Sequence, residues 1–219
     1  MNRITATSIA AAGLLGAGAT LAGFGFNSTN SALESTTIAS AEGAAAGSYA
    51  VDAVHSSVLF KIRHAGLAYF YGTFEEFGGT ISIDPDNIEA AQFNITVETG
   101  SVDTNNRSRD GHVKNADFFN ARQYPKASFT STSISEVSEG VYQLNGDFEF
   151  HGKTLPVSAE LTHVTFGKQR DADAMGFHAV FTIARSEFGI TKYVDADNPE
   201  SGPLGDNVEI TVSMEAVSQ

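Results

Sequence analysis

Asp52-Ala53-Val54-His55-Ser56 places three residue types of an acyl-transfer triad within five positions. A serine nucleophile needs a histidine to take its proton and a carboxylate to orient that histidine, but the three groups are ordinarily supplied by separated segments. As near neighbours they read instead as a turn entering a strand, with side chains bonded to local backbone. Six histidines, at positions 55, 64, 112, 151, 163 and 178, raise the question of a metal. None belongs to an HxH or HExxH pair, so a metal site would have to be assembled from different strands. His64 lies in phase with Phe60 and Ile62 and reads as a hydrogen-bonded core histidine. The chain has no cysteine, which removes thiolate chemistry, disulfides and zinc–sulfur sites. A hydrolase or metal-dependent enzyme built on the histidines stays open as one reading, with no residue yet assigned as catalytic or metal-binding.

The densest run of functional groups is NNRSRDGHVKNADFFNARQYP, residues 105–125. Arg107, Arg109, Asp110, His112 and Lys114 have the types to orient a substrate. Equally, Arg109 and Asp110 have the types to clamp a short helix within 105–122 whose end buries Phe118 and Phe119. The acidic, Gly/Pro-rich stretch 187–206 lacks the glycine spacing of a phosphate cradle and reads as a surface connection.

What positions these groups is a series of strands. From residue 49 onward the apolar residues recur with period two. Eight segments carry this alternation: 58–64, 79–83, 92–98, 126–134, 142–150, 154–162, 177–185 and 208–216. Turn-forming clusters such as Asp84-Pro85-Asp86-Asn87 and Ser138-Glu139-Gly140 separate them, and several joins are short enough for sequential antiparallel pairing. Eight strands with one apolar face each bury those faces as a sandwich or as a closed up-and-down barrel, and closure also removes the unpaired edges. The only candidate helix is the one in 105–122. Of sixteen Phe, fourteen follow residue 47, and most fall on the in-facing phase. Such an interior is either a filled core or an apolar cavity for an apolar ligand. Strands of about eleven residues, rising about 3.3 Å each and tilted by about 40°, would enclose a channel roughly 25–30 Å deep.

The first forty residues differ in composition. Arg3 is followed by an uncharged small or apolar stretch, 4–26, which reads as a secretory signal, with Ala39-Ser40-Ala41 suited to cleavage. Residues 1–41 are expected to be this signal, 42–48 a flexible linker, and 49–217 the folded domain. The protein is thus expected to be exported to the periplasm or beyond, tethered if the signal stays uncleaved. No span apolar enough to cross a bilayer follows residue 47. The net charge is −13, and removing 1–41 deletes one base, Arg3, and one acid, Glu34, leaving it unchanged. That acidity opposes nucleic acid and anionic membrane surfaces.

Beyond these patterns the chain resembles the YceI-like family of exported lipid-binding or polyisoprenoid-binding proteins. Matching stretches are Asp52-x-x-His55-Ser56, Ile62-Arg63-His64-Ala65-Gly66, Gly72-Thr73-Phe74-x-x-Phe77-x-Gly79, Ser101-Val102-Asp103-Thr104, Arg109-Asp110-x-His112 and Asp117-Phe118-Phe119. Further on come Tyr124-Pro125, Phe129, Gly146-Asp147-Phe148, His151-Gly152-Lys153-Thr154 and Arg185-x-x-Phe188-Gly189. The likeness departs at Val113, where the family usually has Leu, and in a lengthened 187–206 loop. The resemblance implies an all-β, lipocalin-like, eight-stranded antiparallel up-and-down barrel without catalytic activity or cofactor. Its partner would be a long-chain isoprenoid lipid, such as a quinone tail or polyprenyl chain. On this reading the in-phase residues Phe60, Ile62, Phe74, Phe93, Ile95, Phe129, Phe148, Phe150, Leu161, Phe181 and Ile183 line the cavity. Arg109 and His112 are the candidate head-group contacts.

Overall fold

The computed structural model describes residues 45–219. Residues 1–41, expected to be a signal, and the start of the expected linker lie outside the described residues. Ten strands and one α-helix follow: β1 (Gly47–His64), β2 (Ala68–Phe74), β3 (Phe77–Asp84), β4 (Asn87–Glu98), β5 (Val102–Asp103), α1 (Arg107–Val113), β6 (Lys126–Ser138), β7 (Val141–Phe150), β8 (Lys153–Gln169), β9 (Ala172–Ala184) and β10 (Leu204–Ser218). Gly47 and Ser48, read as linker, already pair with Ile83 and Ser82. All pairings are antiparallel, and the order β1-β10-β9-β8-β7-β6-β4-β3-β1 closes a ring of eight.

The two additional strands are continuations rather than extra staves. β2 runs on into β3 past Glu75 and Glu76, pairing with β1 from Val58↔Phe74 to His64↔Ala68. β5 extends β4 beyond a single 3₁₀ turn at Thr99–Ser101 and pairs with β2. Thr99 is fully buried there and its hydroxyl donates to the Tyr124 carbonyl at 2.7 Å. β1 and β8, at 18 and 17 residues, exceed the expected strand length. β1 does so through an irregularity between Asp52 and Ser57 that breaks its register with β10.

The helix is shorter than 105–122. α1 covers seven residues, opened by Asn106, whose side chain accepts from the Arg109 amide at 3.1 Å. Residues 114–124 continue as turns that carry Phe118 and Phe119 toward the barrel.

The two interiors left open by composition occupy opposite ends of one barrel. At the end holding the start of β1, Tyr49, Ile81, Leu161, Met175, Met214 and Ala216 are almost wholly buried and fill the bore. Phe93 and Phe177, ring centroids 5.1 Å apart and edge to face, pair with Ile81 and Met214 of this core and also line the cavity beyond it. Beyond that pair the barrel is hollow, so the channel does not run its full length. Two buried glycines widen the hollow end. The ring of Phe60 lies where a Cβ on Gly72 would stand, 2.4 Å away, and the ring of Phe129 lies 2.4 Å from the same point on Gly146. Each ring therefore folds back against bare backbone instead of projecting inward.

Candidate functional site

The hollow end is a cavity of about 730 Å³, within the range of sites that take up small apolar molecules. Phe60, Ile62, Phe74, Phe93, Ile95, Phe129, Phe148, Phe150, Phe181 and Ile183 all line it. Leu161 does not. It is in the apolar phase, but it lies between Tyr142, which is outside the cavity, and Ala179, which lines it, and its own side chain is fully buried. Phase specifies the face of a strand, not the height along it.

The wall is apolar and its polar groups gather at one end. Thr104, Arg109, His112, His64, Tyr193 and Arg185 line the cavity there. His64, Arg109, His112 and Tyr193 are also exposed, which marks them as the rim of a mouth. The burial expected for His64 is absent because it is the last residue of β1 and the wall has ended. Phe118 and Phe119 partly roof the mouth. Phe119 stacks on Phe74 at 5.8 Å and meets Phe150 edge-on at 5.5 Å, while Phe118 packs against His112 at 5.1 Å.

Arg109 and Asp110 both grip Thr104. The Thr104 amide and hydroxyl donate to Asp110 Oδ1 at 2.8 and 2.6 Å. Arg109 Nε donates to Thr104 Oγ1 at 2.9 Å, and its Nη2 to the Thr104 carbonyl at 2.6 Å. The Thr104 hydroxyl bond holds the Asp110 carboxyl below its ordinary pKa, against partial burial. The Arg109 guanidinium also lies 4.3 Å over the Phe70 ring, so its remaining face borders the cavity. Asp110→Ala leaves two Thr104 donors without their acceptor. The expected result is a melting temperature lower by roughly 2–8 °C. Uptake of an apolar probe below the transition should stay within a few-fold. Unchanged melting with lost uptake would assign Asp110 to the ligand instead.

The residue that motif reasoning undervalued is Arg185. It occupies the next in-facing position after Phe181 and Ile183, and it is buried. Its guanidinium donates to four backbone carbonyls: Gly205 at 2.8 Å, Ile190 at 3.0 Å, Lys192 at 2.8 Å and Leu204 at 3.0 Å. Burial lowers its pKa, opposed by the carboxylates of Asp206 and Glu200. Asp206 in turn accepts from the Ser186 amide and hydroxyl at 2.8 and 2.6 Å. The 187–206 stretch is therefore not simply a surface connection. Arg185 folds it over the mouth, burying Phe188 and Ile190 and bringing Ile190, Tyr193, Pro203 and Leu204 to the cavity.

The triad-like run does not assemble for acyl transfer. His55 Nδ1 lies 2.8 Å from Asp52 Oδ2, but the Ser56 hydroxyl donates to the Asp52 carbonyl at 2.6 Å rather than to an imidazole. Gln169 donates to the same Asp52 oxygen at 2.8 Å. The hydrogen bonds from Gln169 and then His55 pull the Asp52 carboxyl down to about 2, and the carboxylate raises the pKa of His55. None of these groups lines the cavity. The other histidines are dispersed. His151 Nδ1 lies 2.9 Å from the Phe188 carbonyl, to which it donates, while His163 and His178 meet edge to face at 6.3 Å. Among the described residues no three His, Asp or Glu side chains converge as metal ligands.

The YceI-like domain profile matches residues 49–216. Protein YceI of Escherichia coli is 36% identical over 183 residues, covering 82% of this chain and 92% of that one. The crystal structure of BcnA from Burkholderia cenocepacia superimposes with a TM-score of 0.65 at 22% identity, over 75% of this chain and 98% of that one. A polyisoprenoid binding domain from Saccharophagus degradans, implicated in plant cell wall breakdown, superimposes with a TM-score of 0.60 at 13% identity, over 78% and 98% of the two chains. These two structural likenesses speak for the fold. With the family match spanning most of its length, the chain belongs to the YceI-like domain family.

Proposed function

We propose that the protein is an exported, non-enzymatic carrier or store for one long isoprenoid-type lipid, such as a quinone tail or a polyprenyl chain. The observation that carries this reading is the polarity of the cavity: apolar along its wall, with its charged and hydrogen-bonding side chains at the mouth. An amphiphile fits it in one direction, tail inward and head group beside Arg109 and His112. Each methylene moved out of water contributes about 0.8 kcal/mol, offset in part by the chain's lost freedom. A polyisoprenoid binding domain among the proteins of like fold supports the chemical class, and the Arg3-led apolar stretch supports export.

The test is solvent extraction and mass spectrometry of protein purified from its own host. One isoprenoid-class lipid per chain is expected, and intact mass on the same sample reports whether 1–41 have been removed. Binding of added isoprenols should strengthen with chain length until the tail reaches Phe93 and Phe177, then level off. Retention of no lipid, or of a lipid without isoprene units, would reject the proposal.

A further inference from the structure

Large apolar side chains left in water are not scattered over the barrel. Among the described residues, Leu67, Tyr69, Tyr71 and Tyr193 stand on or beside the cavity mouth, and only Val54 and Val137 lie elsewhere. Leu67, 89% exposed, is at the tip of the β1–β2 hairpin. The inner face of that hairpin is cavity wall, through Phe60, Ile62 and Phe70. Its outer face presents Tyr69 and Tyr71, so this one hairpin is apolar on both sides.

Its charge is as distinctive as its hydropathy. The chain has twice as many acidic as basic residues, yet 58–74 contains Lys61 and Arg63 and no acid. Arg63 donates to the Gly66 carbonyl at 2.9 Å, bracing the tip, and Lys61 lies 5.0 Å over the Tyr69 ring. Of the nearby carboxylates, Glu209 is paired with Lys61, while Glu75 accepts from the Thr73 hydroxyl, Glu200 from the amides of Asp206 and Asn207, and Asp103, opposite Thr73, from the Asn105 amide.

We propose that this rim is the surface by which the protein docks on a lipid bilayer. Leu67 enters the acyl region, and the tyrosines take the headgroup level that amphipathic rings prefer. Arg63 meets lipid phosphate, for which a guanidinium fork is suited. The rest of an acidic molecule is repelled by an anionic surface, so the acid-free hairpin is the part that can approach. Docked this way, the mouth opens onto the bilayer and an apolar cargo passes between membrane and barrel without crossing water. The inference needs an apolar cargo but not an isoprenoid one.

The chain has no tryptophan, so Leu67→Trp and Val137→Trp each give a protein with a single indole reporter. Val137 lies near the β6–β7 turn, at the filled end. Vesicles of phosphatidylethanolamine and phosphatidylglycerol, with and without brominated acyl chains, are added to each variant purified from the native host. The emission of the Leu67→Trp variant is expected to shift to the blue and to be quenched several-fold more strongly than that of the Val137→Trp variant. Adding Arg63→Glu should raise the vesicle concentration needed by about tenfold or more. An unmoved Leu67→Trp signal would overturn the proposal, as would equal quenching at both positions. A blue shift that grows with protein concentration in the absence of vesicles would instead assign the rim to a second copy of the chain. The readout is independent of what the barrel carries, so it fails separately from the lipid found by mass spectrometry.

Discussion

Phe181→Asp is expected to abolish lipid uptake, whereas Thr182→Asp, one residue along the same strand, leaves it nearly intact. Phe181 lines the cavity with Phe148 and Phe129 at ring distances of 5.5 and 6.5 Å. A carboxylate there has no cation or donor to meet, and facing a tail it costs several kcal/mol, which is a loss of about a hundredfold or more in affinity. Burial also favours the neutral acid, so uptake by Phe181→Asp should partly return as pH falls below the raised pKa of the new side chain. Thr182 faces water opposite Glu209. A second acid there costs some stability, about 0.2–1 kcal/mol for a facing pair, but adds nothing to the interior. Titration with a fluorescent fatty probe at several pH values, with circular dichroism to confirm folding, separates the two. Equal uptake by both variants would mean that the ligand does not occupy the interior.

Arg185→Ala is expected to cause the largest loss of stability. Its four carbonyl partners would be left in a largely dry site without their donor. Disruption of a buried network on this scale costs about 4 kcal/mol or more, a drop of roughly 8–16 °C in melting temperature for a domain of this size. Arg185→Lys should recover little, since one ammonium cannot reproduce the spread of a guanidinium fork. Hydrogen exchange should show the damage concentrated in 186–206, the stretch tied down by Arg185 and Asp206. Melting within about 2 °C of wild type would show that the loop holds itself.

The strands that were legible in sequence are those with one wet and one dry face. β4, with Phe93 and Ile95 buried between exposed Gln92 and Asn94, is the plainest. β2 escaped because AYFYGTF is aromatic on both faces, with Phe70 inward and Tyr69 and Tyr71 outward, so no alternation exists to detect. The start of β1 was obscured because its irregularity between Asp52 and Ser57 interrupts the period. Leu161 shows the limit for the site: in-facing phase is local, whereas hollow or filled depends on side chains from every stave at one height. Arg185 was visible as a charge in an apolar register, but its partners are carbonyls, which carry no residue signature.

The bore itself is made by omission. The walls of the hollow end are built of large side chains, and the space exists because Gly72 and Gly146 let the rings of Phe60 and Phe129 lie flat. A single methyl at either position would meet a ring carbon 2.4 Å away and swing that ring toward the axis; at Gly146 the Thr130 carbonyl, 2.6 Å off, resists as well. The hollow and filled halves are thus neighbouring solutions of one architecture, a methyl group or two apart. A lineage or an engineer can resize the compartment, or close it into an ordinary core, without replacing a residue that lines it.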